Sequence, residues 1–307
     1  MKIFLIILLS LLISILLILA NHLCLNSIIF YNFFSKRGRF KKSVDKYNQT
    51  HRNYEEGNLY FSQFNDVSVE SEDKFVLKGY YKNNESNKTV ILVHGFWGSH
   101  LDMLDLAKLF DKRGYNILAI NQRANGISGG EYSTLGYYEK NDLKVWIDFV
   151  VSLNPNIKIL LYGISMGGTV VCLNVSENCL PNVSLAISDC AFDNAYKTMA
   201  YSLRKRRILF KLHLKNFLRY SKITKGVDFK KVDLSGKLKN AKVPILFVHG
   251  DQDDVVPLEM VYSLSNQVPE YRRELFISSG ARHIESYKKN PEAFEKCVDK
   301  FLSKYSM

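Results

Sequence analysis

The distribution of apolar and polar residues divides the chain into three parts. Residues Ile3 to Ala20 form an uncharged apolar run of 18, broken only by Ser10 and Ser14. As a helix, that run is just long enough to cross about 30 Å of hydrocarbon. A further apolar stretch, Leu23 to Phe34, carries Tyr31, Phe33 and Phe34 where an aromatic belt would sit at a membrane interface. Together they predict an N-terminal transmembrane anchor over residues 1–34. A cleaved signal peptide is the competing reading, but no small-x-small site ends the run, and Asn21-His22-Leu23-Cys24 is a poor lipoprotein cleavage box. Residues 35–65 then turn polar, basic and irregular, as expected of a linker between membrane and domain.

Beyond the linker, strand-like runs alternate with helix-like ones. The strands are expected at Phe75–Tyr80, Thr89–Val93, Tyr115–Ile120, Ile157–Tyr162, Leu185–Ser188, Pro244–Val248 and Glu274–Ile277. Several are continuously apolar, as strands buried on both faces are. Between them, His100–Arg113 places leucines near helical spacing and stops at Gly114, and Tyr137–Leu153 sets Leu143, Trp146, Ile147 and Val150 on one face. A last helix starts at Pro291, where the missing N–H costs nothing. The alternation predicts an α/β fold over residues 66–307, a doubly wound and mostly parallel sheet covered on both faces. Residues 191–240 interrupt it with a stretch, Leu203 to Tyr220, that sets Leu203, Phe210, Leu214, Phe217 and Leu218 against Arg204, Lys205, Arg207, Lys211, Lys215 and Arg219. That reads as a short helical lid.

Charge sharpens this division. The chain has a formal net charge of +12. Residues 191–240 hold 14 Lys/Arg against three Asp, hence +11, and residues 1–60 hold eight against three acids, hence +5. The remainder is therefore −4. The basic character belongs to the N-terminal region and the lid, which suits a solvated cap helix or a surface drawn to anionic head groups. Lys36, Arg37, Arg39, Lys41 and Lys42 follow the anchor, so the positive-inside rule favours a single-pass membrane protein with its globular part in the cytoplasm. Five cysteines, Cys24, Cys172, Cys179, Cys190 and Cys297, show neither disulfide nor metal spacing and lean the same way.

Three loops carry candidate chemistry. Gly163-Ile164-Ser165-Met166-Gly167 follows an expected strand and opens an apolar helical run. A nucleophilic serine needs such a strained strand-to-helix turn, with glycines removing Cβ clashes on either side. His94-Gly95-Phe96-Trp97-Gly98 follows the Thr89–Val93 strand, where a loop donates one oxyanion N–H while the residue after the nucleophile donates the other. The expected donors are the backbones of Phe96 and Met166, and His94 is expected to be a structural loop residue. After Pro244–Val248, Asp251, Asp253 and Asp254 compete for the acid that orients a base; their spacing does not separate them. Of seven histidines only His283 lies downstream of these aspartates, in a loop between the last strand and the last helix. It is the expected base.

The motifs H-G-F-x-G, G-I-S-M-G-G, V-P-I-L-F-V-H-G-D-x-D-x-V-V-P and a late G-x-x-H-x-x-S resemble the α/β-hydrolase superfamily. They look most like bacterial membrane-anchored hydrolases of the serine aminopeptidase-like group. The resemblance implies that Asp253, the second aspartate of H-G-D-x-D, is the acid of a Ser165–Asp253–His283 triad. One segment departs from the family pattern. Where relatives carry D-x-R-G-H-G-x-S-x-G, this chain reads Asn121 to Gly130, keeping Arg123, Gly126, Ser128 and Gly130 but replacing the aspartate, one glycine and the histidine.

The expected activity is that of a serine hydrolase acting through an acyl-enzyme. An anchor and a basic lid favour a carboxylic ester or acyl lipid as substrate; an acyl thioester or an aminopeptidase substrate would use the same triad. A membrane-tethered binding protein that kept the fold is the non-enzymatic alternative. The expected partners are the acyl substrate and a membrane, not nucleic acid. No Walker loop, dinucleotide fingerprint or Cys/His cluster implies a cofactor or metal.

Overall fold

The computed structural model describes residues 2–36, 54–177, 180–202 and 209–307. Its centre is an eight-stranded sheet in the order β1-β2-β4-β3-β5-β6-β7-β8. The strands are β1 (Asn65–Glu70), β2 (Val76–Lys82), β3 (Lys88–Val93), β4 (Asn116–Ile120), β5 (Lys158–Ile164), β6 (Val183–Asp189), β7 (Ile245–Gly250) and β8 (Arg273–Ser278). From β4 to β8 across the sheet all pairings are parallel; β1 and β2 form an antiparallel edge. All seven expected strands are present, and β1 is an addition. Its Asn-Asp-Val-Ser-Val-Glu sequence never becomes buried, because it lies at the sheet edge.

The helices are α1 (Lys2–Phe34), α2 (Tyr54–Phe61), α3 (Leu104–Asp111), α4 (Glu139–Leu153), α5 (Met166–Glu177), α6 (Ala195–Ser202), α7 (Leu209–Lys225), α8 (Leu258–Ser265), α9 (Ser286–Lys289) and α10 (Pro291–Lys304). Helices cover both faces of the sheet. On one face, Trp146, Ile147 and Val150 of α4 and Val170 and Val171 of α5 pack on Ile91, Leu118 and Leu161. On the other, Phe110 of α3 and Phe294, Val298 and Phe301 of α10 pack on Val90, Leu92 and Leu160. The α3 segment begins as a 3₁₀ turn at His100–Met103 under a Ser99/Asp102 capping box, and Gly114 ends it at φ +73.

The two N-terminal boundaries differ from expectation. The apolar run forms one continuous helix of 33 residues, long and apolar enough to cross a membrane. Residues 2–21 are exposed throughout. The last turns are not a free anchor, however: Asn26, Phe30 and Phe34 are buried, and Phe30 and Phe34 join the core of the domain. Hydropathy cannot separate these positions, because a lipid-facing and a core-facing phenylalanine look alike in sequence. The expected linker is also partly structured. Residues 37–53, which include the basic cluster after Lys36, lie outside the described residues. The α2 helix follows them and buries Phe61, its Gly57 lying so close to Leu101 that a Cβ would meet that side chain at 2.9 Å.

Among the described residues of 195–240, the lid comprises two helices and two 3₁₀ turns. The first part of the expected lid helix, residues 203–208, lies outside the described residues. In α7, Leu214, Phe217 and Leu218 are buried while Lys215 and Arg219 are exposed, which is the predicted amphipathic arrangement.

Candidate active site

The site assembles at the carboxyl ends of the parallel strands, where loops rather than regular structure hold the side chains. Ser165 occupies the turn between β5 and α5 at φ +52, a left-handed conformation uncommon for a residue with a Cβ. The flanking glycines have no room for a side chain. A Cβ on Gly163 would come within 2.2 Å of the Gly167 carbonyl oxygen, and one on Gly167 within 2.1 Å of the Val93 carbonyl oxygen. The Ser165 N–H donates to the Asp189 carbonyl at 2.8 Å, so the turn is tied to the end of β6. Ser165 is 8% exposed.

His283 sits in the loop between β8 and α9. Its Nδ1 is 2.7 Å from Asp253 Oδ2, and its Nε2 is 2.9 Å from Ser165 Oγ. With the Nδ1 proton held by the carboxylate, Nε2 accepts from the serine hydroxyl. The three aspartates after β7 part company here. The Asp253 side chain is fully buried, and its Oδ1 accepts from the Val255 and Val256 N–H groups at 2.9 and 2.8 Å. Burial alone would raise its pKa, but His283 and those two backbone donors outweigh it and hold the carboxyl below its ordinary value. Asp251 instead accepts from the Gly280 N–H at 2.7 Å, and Asp254 is exposed.

The two expected N–H donors flank the serine. A Cβ on Gly95 would lie 3.3 Å from Ser165 Cβ, so the Gly95-Phe96 turn runs against the nucleophile. Met166 opens α5, where a backbone N–H has no partner within the helix. His94 is wholly buried, its Nε2 accepting from the Gln122 N–H at 3.0 Å. It fastens this loop to the segment after β4, the structural role its position suggested.

That segment, Asn121 to Gly130, is held by a buried ion-pair cluster. Arg123 makes bidentate bonds to Asp142 at 2.6 and 2.7 Å and to Asp73 at 2.8 and 3.0 Å. Burial opposes the Arg123 charge, but the two carboxylates outweigh it and push its pKa up. Burial pushes Asp142 up to about 6 against the pull of Arg123. Asn121, at the replaced aspartate position, accepts from the His100 N–H at 3.1 Å.

Nothing in the sequence pattern marks Asp189. It is buried beneath the nucleophile turn, and its Oδ2 accepts from the Tyr162 hydroxyl at 3.1 Å. Burial, partly offset by that bond and by His283, pushes its pKa up to about 6. The next residue, Cys190, is buried at φ +45. Among the described residues, the potential metal donors that converge are Cys190, Asp253 and His283, with ligand atoms within 4.8 Å of one another. Two of them are engaged in the hydrogen-bond relay, and burial pushes the Cys190 thiol far above its usual range, which makes it a poor ligand.

Comparison with known proteins agrees with this architecture. Residues 84–233 match the family described as serine aminopeptidase, S33. The uncharacterized protein YqkD of Bacillus subtilis is 29% identical over 234 residues, covering 74% of this chain and 75% of that one. The Pyrococcus furiosus esterase Pf2001 superposes with a TM-score of 0.67 at 26% identity, covering 81% of this chain and 94% of that one. An alpha-beta serine hydrolase homologue from Coxiella burnetii shares the fold, with a TM-score of 0.54 at 23% identity over 77% of this chain and 96% of its own. The chain belongs to the α/β-hydrolase superfamily. It is a hydrolase of that superfamily, similar in its family match to the serine aminopeptidase group and in structure to an archaeal esterase.

Proposed function

We propose that this protein is a serine esterase that cleaves a carboxylic ester or acyl lipid at a membrane surface. The observation that carries the reading is the continuous relay from Ser165 Oγ through His283 to Asp253, at 2.9 and 2.7 Å. His283 takes the proton of Ser165 as its oxygen attacks the carbonyl carbon. The resulting oxyanion is bound by the Phe96 and Met166 N–H groups, each worth about 3–4 kcal/mol. His283 then protonates the leaving alcohol. In the second half-reaction it activates water against the acyl-enzyme, and Ser165 is regenerated.

The substrate class rests on what surrounds the relay. The Phe34 ring at the end of α1 lies 5.6 Å from Phe96, the residue after the Gly95 that abuts Ser165, and the lid presents Lys215 and Arg219 to solvent. The similarity to an esterase from Pyrococcus furiosus points the same way. Ser165→Ala is expected to abolish labelling by a fluorophosphonate probe while leaving the circular dichroism spectrum unchanged; persistent labelling overturns the assignment. A panel of esters, thioesters and aminoacyl amides, assayed with and without anionic vesicles, then tests the substrate class. Preference for the amides would replace the esterase reading with a peptidase one.

A further inference from the structure

We propose that the last turns of the membrane helix, Phe30 to Phe34, are a positioning element of the oxyanion hole, so that the helix which tethers the enzyme also sets its reactivity. The inference rests on the triad reading above and extends it to residues outside the three motif loops.

The physical starting point is the carboxyl end of α1, where the last carbonyls have no partners within the helix. Two donors satisfy them. The Trp97 indole Nε1–H donates to the Phe33 carbonyl at 2.8 Å, and the Ser133 N–H donates to the Phe34 carbonyl at 2.9 Å. Each donor belongs to a segment that touches one of the two proposed oxyanion groups. Trp97 directly follows Phe96, and the Ser133 hydroxyl lies 3.6 Å from Met166 Sδ. One further step along the chain, Ser35 bridges Tyr132, and the Lys36 N–H donates to the Glu131 carbonyl at 2.8 Å. Glu139 braces the same segment from behind, accepting from the Ser133 hydroxyl at 2.9 Å and the Gly136 N–H at 2.8 Å.

Side-chain packing repeats the connection. The Phe34 ring lies 5.6 Å from Phe96, 5.6 Å from Phe217 and 5.0 Å from Phe229, a wedge between the oxyanion loop and the lid. Phe33 stacks on Trp97 at 6.0 Å. These contacts matter because Trp97 holds φ +64. A residue with a Cβ in that region costs on the order of 1 kcal/mol or more, and stays there only when its surroundings over-determine it. With Trp97 itself 43% exposed, the α1 terminus supplies much of that constraint. Release of the indole from Phe33 frees the peptide next to Phe96 to rotate, which moves a donor whose value depends on orientation.

The test uses the full chain in detergent micelles, with active sites titrated to completion by a fluorophosphonate so that rates refer to folded, reactive enzyme. Trp97→Phe keeps the ring and removes the N–H; it is expected to lower kcat about tenfold with KM changed less than threefold. Phe34→Ala should lower kcat further, and Phe34→Leu should recover part of the loss. Affinity for a boronic acid that forms a tetrahedral adduct should fall in step with kcat. Unchanged kcat per titrated site in both variants overturns the inference, as does a rise in KM at constant kcat, which would assign the segment to substrate binding instead. If Phe34→Ala fails to fold, Trp97→Phe decides alone. If the unaltered enzyme is not labelled at Ser165, the failure belongs to the triad reading and not to the role of α1.

Discussion

Substitution of Asp253 by asparagine tests the relay more sharply than removal of the serine, because the surrounding geometry fixes what the amide must do. In the native site Oδ1 accepts from the Val255 and Val256 N–H groups, while Oδ2 accepts from His283. An asparagine keeps its carbonyl oxygen on the two backbone donors, since the reverse orientation sets N–H against N–H at 2.9 and 2.8 Å. Its NH₂ group therefore faces His283 Nδ1. The imidazole must then present a lone pair there and carry its proton on Nε2, toward Ser165, where no base remains. The shape of the site is preserved, so stability should change little. The tautomer is wrong, and the expected loss is about 10⁴-fold in kcat, or roughly 5.4 kcal/mol of transition-state stabilisation. The assay is steady-state hydrolysis of a chromogenic short-chain ester, with thermal melting run on the same samples. Asp251→Asn retains the oxygen that accepts from the Gly280 N–H and should stay within a few-fold of wild type. Activity of Asp253→Asn within tenfold of wild type, or a larger loss in Asp251→Asn, refutes the reasoning.

The remaining expectations concern stability. The pKa of Asp189 is raised to about 6 from 3.8, so the folded state holds its proton more tightly than the unfolded one. Its contribution is fully present below about pH 4 and lost as pH rises through 6, by up to about 3 kcal/mol. Asp189→Asn should flatten the stability curve between those values; an unchanged slope in denaturant titrations at pH 4.5 and 7 counts against it. Arg123→Ala leaves two carboxylates facing one another, one of them buried, and should cost about 3–5 kcal/mol by urea unfolding. Deletion of residues 2–20 should leave a folded, soluble domain, whereas deletion of 2–34 strips Phe30 and Phe34 from the core and should cost about 3–6 kcal/mol, seen as a lowered unfolding midpoint.

Much of this architecture could be read from sequence because its strands are long apolar runs ending in loops of fixed chemistry. Val90 to Val93 and Ile159 to Ile164 are short runs buried on both faces, and each ends at one of those loops, which suits a parallel strand. The elbow was legible for the same reason: Gly163 and Gly167 mark positions where any Cβ meets backbone. What escaped depends on neighbours distant in sequence. Asp189 looks like an ordinary aspartate after a strand until Tyr162 and the Ser165 turn close over it. The β1 strand is half polar because one of its faces meets solvent: Val67 and Val69 pack against the core while Asp66, Ser68 and Glu70 are exposed. The choice among Asp251, Asp253 and Asp254 needed the family resemblance, since only the folded loop turns one of them toward His283.

The uninterrupted course of α1 also has a mechanical meaning. No glycine or proline occurs from residue 2 to 34, so the helix has no built-in hinge. From Asn21 to Phe34 it extends about 20 Å at 1.5 Å per residue. On the membrane-surface reading proposed above, with its first half in a bilayer, it acts as a rigid stalk rather than a leash. The Phe96–Trp97 turn is then held at a set height above the hydrocarbon and cannot swivel independently of the stalk. On that reading the protein samples its surroundings by lateral diffusion in two dimensions, and the proposed acyl substrates must come to that height.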